Sequence, residues 1–210
     1  MGFLVWTALI RRVDVQAAGP RGTTVGFAAW NTRFHRLTGV HMTLYTITDW
    51  LGLVPIAVCL GFGSLGAVQL LQRRSVLRVD PDILLLGGYY LLVICAYLLF
   101  EMFPINYRPI LIDGVLEASY PSSTTLLVLS VMPTLRFQAD RRMKRLPLRR
   151  LTAGFVDAFS LFMVVGRLIS GVHWVTDIIG STVLSAGLFM VYRSFVRMFD
   201  ACKEGGYGIQ

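Results

Sequence analysis

His173 and Asp177 stand four residues apart, a spacing that puts them on one face of a helix. A carboxylate so placed accepts the imidazole N–H, sets its tautomer and stabilises the imidazolium, as a histidine acting as nucleophile or base requires. The same spacing also makes an ordinary helix-surface pair, so the neighbouring residues decide what it means. Arg108 and Arg167 each offer a rigid fork of donors that suits phosphate oxygens. Two guanidiniums beside a His–Asp pair would suit an anion pocket; the plainer alternatives are a lipid-headgroup anchor for Arg108 and snorkelling from a helix end for Arg167. Pro121-Ser122-Ser123 opens a helix whose first N–H groups attract anions. The loop 104–122, PINYRPILIDGVLEASYPS, adds Asp113 and Glu117, and Ser170 follows Arg167.

These residues need elements to position them, and the composition says which. Of 210 residues, 55% are hydrophobic and only 15% charged, against about 25% charged in a soluble domain. That excludes a disordered chain, a collagen-like repeat and a typical cytosolic enzyme. The spacing predicts an all-α polytopic membrane bundle. Apolar runs long enough to cross a bilayer cover Trp50–Leu71, Ile83–Phe103, Leu151–Ile169 (apart from Asp157 and Arg167) and Trp174–Phe195 (apart from Asp177 and Arg193). A fifth, shorter run spans Thr124–Leu135. Phe3–Ile10 is too short to span and reads as the end of an incomplete N-terminal helix. Residues 14–48 read as extramembrane, with a short amphipathic helix near Phe27–Leu37. The chain reads as one domain with its helical core at 50–195.

The net charge of +8 sits between the apolar runs, which argues for membrane topology and against nucleic-acid binding. Arginines 73, 74 and 78 occupy one loop. Residues 136–150 carry Arg136, Arg141, Arg142, Lys144, Arg145, Arg149 and Arg150, and the tail carries Arg193, Arg197 and Lys203. Five helices starting outside place all three segments in the cytoplasm. The C-terminus is then cytoplasmic, and His173, Asp177 and both arginines sit together at the extracytoplasmic face, with the plasma membrane the expected location. The cysteines, Cys59, Cys95 and Cys202, lack metal-site or disulfide spacing. Trp50 and Trp174 read as an aromatic belt and Gly61, Gly63 and Gly66 as helix-packing positions. Asp49 reads as a cap for the Trp50 helix, Asp157 as paired inside the bundle, and His35 and His41 as structural.

The chain resembles the type 2 phosphatidic acid phosphatase superfamily, which includes lipid phosphate phosphatases and vanadium haloperoxidases. The family pattern is Lys-x6-Arg-Pro, Pro-Ser-Gly-His and Ser-Arg-x5-His-x3-Asp. This chain reads Glu-x6-Arg-Pro at 101–109, PSST at 121–124 and GR-x5-H-x3-D at 166–177. The resemblance covers residues 50–195 and implies a six-helix fold. It implies that His173 is the nucleophile of a phosphohistidine intermediate and that Asp177 orients it. Arg108, Arg167, Ser122 and backbone N–H groups around Ser123 would hold the phosphate. It implies no metal and no cofactor, and a lipid phosphate or diphosphate as substrate.

Three positions depart from the pattern: Glu101 replaces Lys, Gly166 replaces Ser, and Thr124 replaces the histidine that protonates the leaving oxygen. Threonine cannot serve as that acid near neutral pH. One reading is a phosphatase for lipid diphosphates such as polyprenyl diphosphate, whose phosphate leaving group has a second pKa of about 6 and needs little protonation. A second keeps monoesters and recruits Glu117, Glu101 or Asp113 as the acid. A third is a membrane protein that binds lipid phosphate without turnover.

Overall fold

The structure is a computed structural model that describes residues 1–206, with side chains described through Cys202; Lys203 of the basic tail lies outside the described side chains. The described residues are helical, with isolated β-bridges but no strand. In chain order the helices are α1 (Gly2–Ile10), α2 (Ala28–Thr38), α3 (Met42–Leu51), α4 (Leu53–Arg73), α5 (Pro81–Met102), α6 (Ser123–Arg142), α7 (Leu146–Ile169) and α8 (Val175–Gly206). Four stretches are long and apolar enough to cross a membrane: Met42–Arg73, Pro81–Met102, Leu146–Ile169 and Val175–Cys202.

The first of these begins eight residues before Trp50. Thr46, Thr48 and Asp49 interrupt the apolar run without interrupting the helix. The two threonine hydroxyls donate to carbonyls of their own helix, Thr46 to Met42 at 3.0 Å and Thr48 to Leu44 at 2.9 Å. Asp49 caps nothing and faces Arg167 instead. Proline sets two starts, with Pro81 opening α5 and Pro147 in the first turn of α7.

α6 is the central helix and packs against α4, α5, α7 and α8. Its surroundings explain why its sequence is less apolar than a span facing lipid. The Tyr89 hydroxyl donates to the Ser130 carbonyl at 2.9 Å, the Tyr90 hydroxyl lies 2.7 Å from Thr134 Oγ1, and Gln138 donates to the Tyr192 hydroxyl at 2.9 Å. Buried polar groups in a bundle need such partners. Around this column, Leu86, Val93, Leu126 and Val196 form one apolar cluster, and Val128, Met132, Val156 and Met163 another.

The helix ends fall into two groups. At one end Arg142 reaches Asp80 (3.2 Å) and Asp82 (2.8 Å), while Arg141 reaches Asp200 (2.6 Å). At the other end lie α2, the loop 103–122 and the turn 170–174. α1 runs beside the start of α8 there. Trp6 Nε1 donates to the Thr176 carbonyl (3.2 Å), and Thr7 Oγ1 lies 2.8 Å from the Tyr120 hydroxyl. Of the three glycines expected to pack helices, only Gly66 does, against Ile83; Gly61 and Gly63 have open space. Trp50 is exposed, but Trp174 is buried, with its indole donating to the Tyr107 carbonyl at 2.7 Å. Asp157 pairs with Arg136 on an exposed face, not inside the bundle.

Candidate active site

Backbone ties bring two loops to one place. The loop 103–122 folds back on itself, its Arg108 N–H donating to the Glu117 carbonyl (3.0 Å) and its Ser119 N–H to the Asn106 carbonyl (2.9 Å). The 170–174 turn is anchored by His41, whose N–H donates to the Ser170 carbonyl (3.0 Å). Gly171 there has φ +71°, and a Cβ would lie 2.1 Å from the Gly39 carbonyl oxygen, so only glycine fits.

That turn delivers His173 just ahead of α8, and Asp177 lies in the first turn of the helix. Asp177 Oδ2 accepts the Trp174 N–H at 2.9 Å, a carboxylate at the third helical position reaching back to the N-cap. Its Oδ1 accepts from Asn106 Nδ2 at 3.2 Å. His173 Nδ1 stands 3.7 Å from Asp177 Oδ2, within ion-pair reach and too long for a hydrogen bond. Neither ring nitrogen of His173 has a hydrogen-bond partner, and the residue is 4% exposed. Burial pushes its pKa down to about 4, helped by the Arg108 and Arg167 charges and opposed by Asp177. The imidazole is therefore neutral at pH 7.

The two arginines share Tyr45 of α3, a residue with no signal in the motif spacing. The Arg167 guanidinium lies 4.8 Å and that of Arg108 5.7 Å from its ring centroid. Arg167 is buried and donates through Nη2 to Asp49 Oδ1 (3.1 Å) and to Thr124 Oγ1. Arg108 Nε stands 3.0 Å from Glu117 Oε2, while its Nη1 is buried without a hydrogen-bond partner. Gly166 lets this happen. A Cβ there would lie 2.8 Å from Thr48 Cγ2, so glycine allows α3 to approach α7 and bring Tyr45 and Asp49 onto Arg167.

A cavity of about 200 Å³ opens among these groups, lined by His173, Arg108, Ser123, Ser119, Glu101 and Glu117, with Tyr97, Phe100 and Tyr120. A second, mostly apolar cleft of about 260 Å³ adjoins it and shares Tyr97, Ser123 and Leu126; Leu53, Ile56, Val93 and Ile94 are among its other walls, with Asp49 and Thr124 at its polar side. Of the residues singled out in the sequence, Asp177 supports the cavity from behind His173. Arg167 is outside the lining and donates to Thr124, which lines the adjoining cleft. Ser122 turns its hydroxyl to Thr125 Oγ1 (3.0 Å) rather than to the cavity. Asp113 sits exposed at a hairpin tip with φ +49°, outside the lining. Asn106 escaped the motif reading because an amide in a loop has no distinctive spacing. Among the described residues no group of three His, Cys, Asp or Glu side chains gathers as a metal site.

Comparison with known proteins bears on the family and the fold. A family model described as the PAP2 superfamily matches residues 56–200. Among solved structures, the chain is similar to the first transmembrane PAP2-type phosphatidylglycerolphosphate phosphatase from Bacillus subtilis, with a TM-score of 0.67 and 16% identity. The match covers 94% of this chain and 93% of that one. A search of the curated proteins yields no match. The match over most of its length places the chain in the PAP2 superfamily as an all-helical integral membrane protein with the transmembrane PAP2 phosphatase fold.

Proposed function

We propose that the chain is a membrane phosphatase that hydrolyses a lipid phosphate or diphosphate, polyprenyl diphosphate favoured, on the extracytoplasmic side. The observation that carries this reading is that two buried donors or acceptors with no internal partner, His173 Nε2 and Arg108 Nη1, line one cavity. A phosphoryl group supplies what both lack. The Nε2 lone pair attacks phosphorus, an N–P bond forms and the P–O bond to the leaving group breaks. Asp177, held by Asn106 and the Trp174 N–H, closes on Nδ1 as the imidazolium charge develops. Water then attacks phosphorus, the N–P bond breaks, inorganic phosphate departs and the imidazole is restored. The apolar cleft beside the cavity is where the lipid chain lies.

Thr124 takes a hydrogen bond from Arg167, so it braces a guanidinium where the family has an acid. Of the three carboxylates that could replace that acid, Asp113 is remote and Glu117 is engaged by Arg108; Glu101 lines the cavity with no ion-pair partner among the described residues. A diphosphate, whose leaving phosphate needs little protonation, is the substrate best matched to such a site. The test is phosphate release from a panel of lipid mono- and diphosphates in detergent, with His173→Ala as the blank. Release from diphosphates that is lost in the variant supports the reading. A second reading, binding without turnover, draws on the pairing of both arginines with carboxylates; it predicts phosphate-dependent binding and no release.

A further inference from the structure

A cavity of about 570 Å³ opens on the side of the bundle between α7 and α8, with α6 as its floor. It shares no residue with the candidate active site or the cleft beside it. Polar groups line it where a span should be apolar. Asp157 and Ser160 lie about 9 and 13 Å along α7 from Leu151, where the apolar run starts. Arg193 lies inside the run that ends at Phe195. Ionisable groups at such depths are costly and mark places where ions or headgroups enter.

Both carboxylates of the cavity are already engaged. Asp157 accepts from Arg136 Nη1 through both oxygens, at 2.8 Å each, and Asp140 accepts from Arg149 Nε at 3.0 Å. Arg193 is the cation left over. No ion pair reaches it among the described residues. Its guanidinium lies 5.9 Å from the ring centroids of both Phe137 and Phe189, and its Nε is buried without a hydrogen-bond partner. Ser160 Oγ is likewise buried and unpartnered. Ser181, Ser185 and Ser194 of α8, by contrast, all donate to carbonyls of their own helix. The cavity therefore holds one uncompensated positive charge and, deeper in the span, one unused hydroxyl.

We propose that this cavity is a second lipid site, one that seats the phosphodiester of an anionic membrane phospholipid. The monoanionic phosphate lies on Arg193, one charge against one. Ser160 donates to an acyl ester carbonyl, which lies deeper than the phosphate, and the chain follows Leu129 and Val156. With Asp140 and Asp157 held by arginines, no carboxylate is left for the ammonium of a zwitterionic lipid. Arg197, one turn past Arg193 on the same face of α8, has no ion-pair partner among the described residues and adds to the preference for net negative charge. The site stands apart from the phosphatase reading and does not depend on it.

The test is binding of phosphatidylglycerol and phosphatidylcholine of equal chain length to the whole chain in neutral detergent, followed by native mass spectrometry. The wild type is expected to bind phosphatidylglycerol about tenfold more tightly, Arg193→Gln less than about threefold, and Arg108→Gln as the wild type does. No preference in the wild type, a preference that survives in Arg193→Gln, or one lost in Arg108→Gln overturns the proposal. Displacement of the lipid by inorganic phosphate also overturns it, since the cavity would then be a site for a free anion. A photoactivatable phosphatidylglycerol crosslinked to the wild type gives an answer that needs no variant. Label on residues 156–160 or 189–193 supports the proposal, and label found only elsewhere, as on 97–126, overturns it.

Discussion

Asn106 is the residue whose role is most sharply exposed by structure. Its amide holds one oxygen of Asp177 inside the protein, and hydrogen bonds to a charged group contribute about 1.5–3 kcal/mol. Asn106→Ala is therefore expected to lower kcat by roughly 10- to 100-fold with little change in KM. Steady-state kinetics on the favoured substrate would show the split, and an unchanged kcat would remove Asn106 from the account. His173 shapes the pH dependence of folding. Its pKa lies below the usual 6.5, so the folded protein resists protonation there while the unfolded chain accepts it. Stability is thus unaffected above about pH 6.5 and falls as pH drops from there toward 4. NMR of labelled histidine should find the His173 ring neutral at pH 5.5; an imidazolium at that pH contradicts the buried environment. His173, Asp177, Arg108 and Arg167 were legible because their spacing is that of a motif. Tyr45 and Asn106 were not, since what marks them is proximity across loops and helices distant in sequence.

Gly166 sets the contact between two helices. As a sequence departure it looks mild, serine to glycine, but it sets how closely α3 can lie on α7. Gly166→Ser is expected to push α3 away, loosen Asp49 and Tyr45 from Arg167, and lower stability by about 1–3 kcal/mol, the range for overpacking. Thr48→Ser removes the obstructing methyl and keeps the hydroxyl bond to Leu44, so the double variant should recover most of the loss. Thermal unfolding in detergent measures this; a double variant no better than Gly166→Ser would place the strain elsewhere. The helices themselves were largely readable from apolar runs: α5 lies close to its expected limits, while α7 starts five residues earlier and α8 runs eleven residues further than the apolar runs. α3 was missed as part of a span because its threonines satisfy themselves within the helix. α6 looked short because its polar residues face partners on α5 and α8, a pairing invisible without the bundle.

For the whole molecule, the arginine-rich loops and the candidate site fall at opposite ends, as the charge bias along the sequence predicted. The side of the membrane each end faces is open to a direct check. Asp113→Cys in a background free of Cys59, Cys95 and Cys202 should react with a membrane-impermeant maleimide on intact cells. Labelling only after permeabilisation would turn the molecule over and put the site in the cytoplasm. Turnover by the proposed route passes through one bond, between His173 and phosphorus. Rapid quenching of the protein with substrate labelled in its transferable phosphate tests it most directly. The expected result is protein-bound label that is acid-labile and base-stable, present in the wild type and absent in His173→Ala. Phosphate release that continues in His173→Ala, with no such label in either protein, would contradict it.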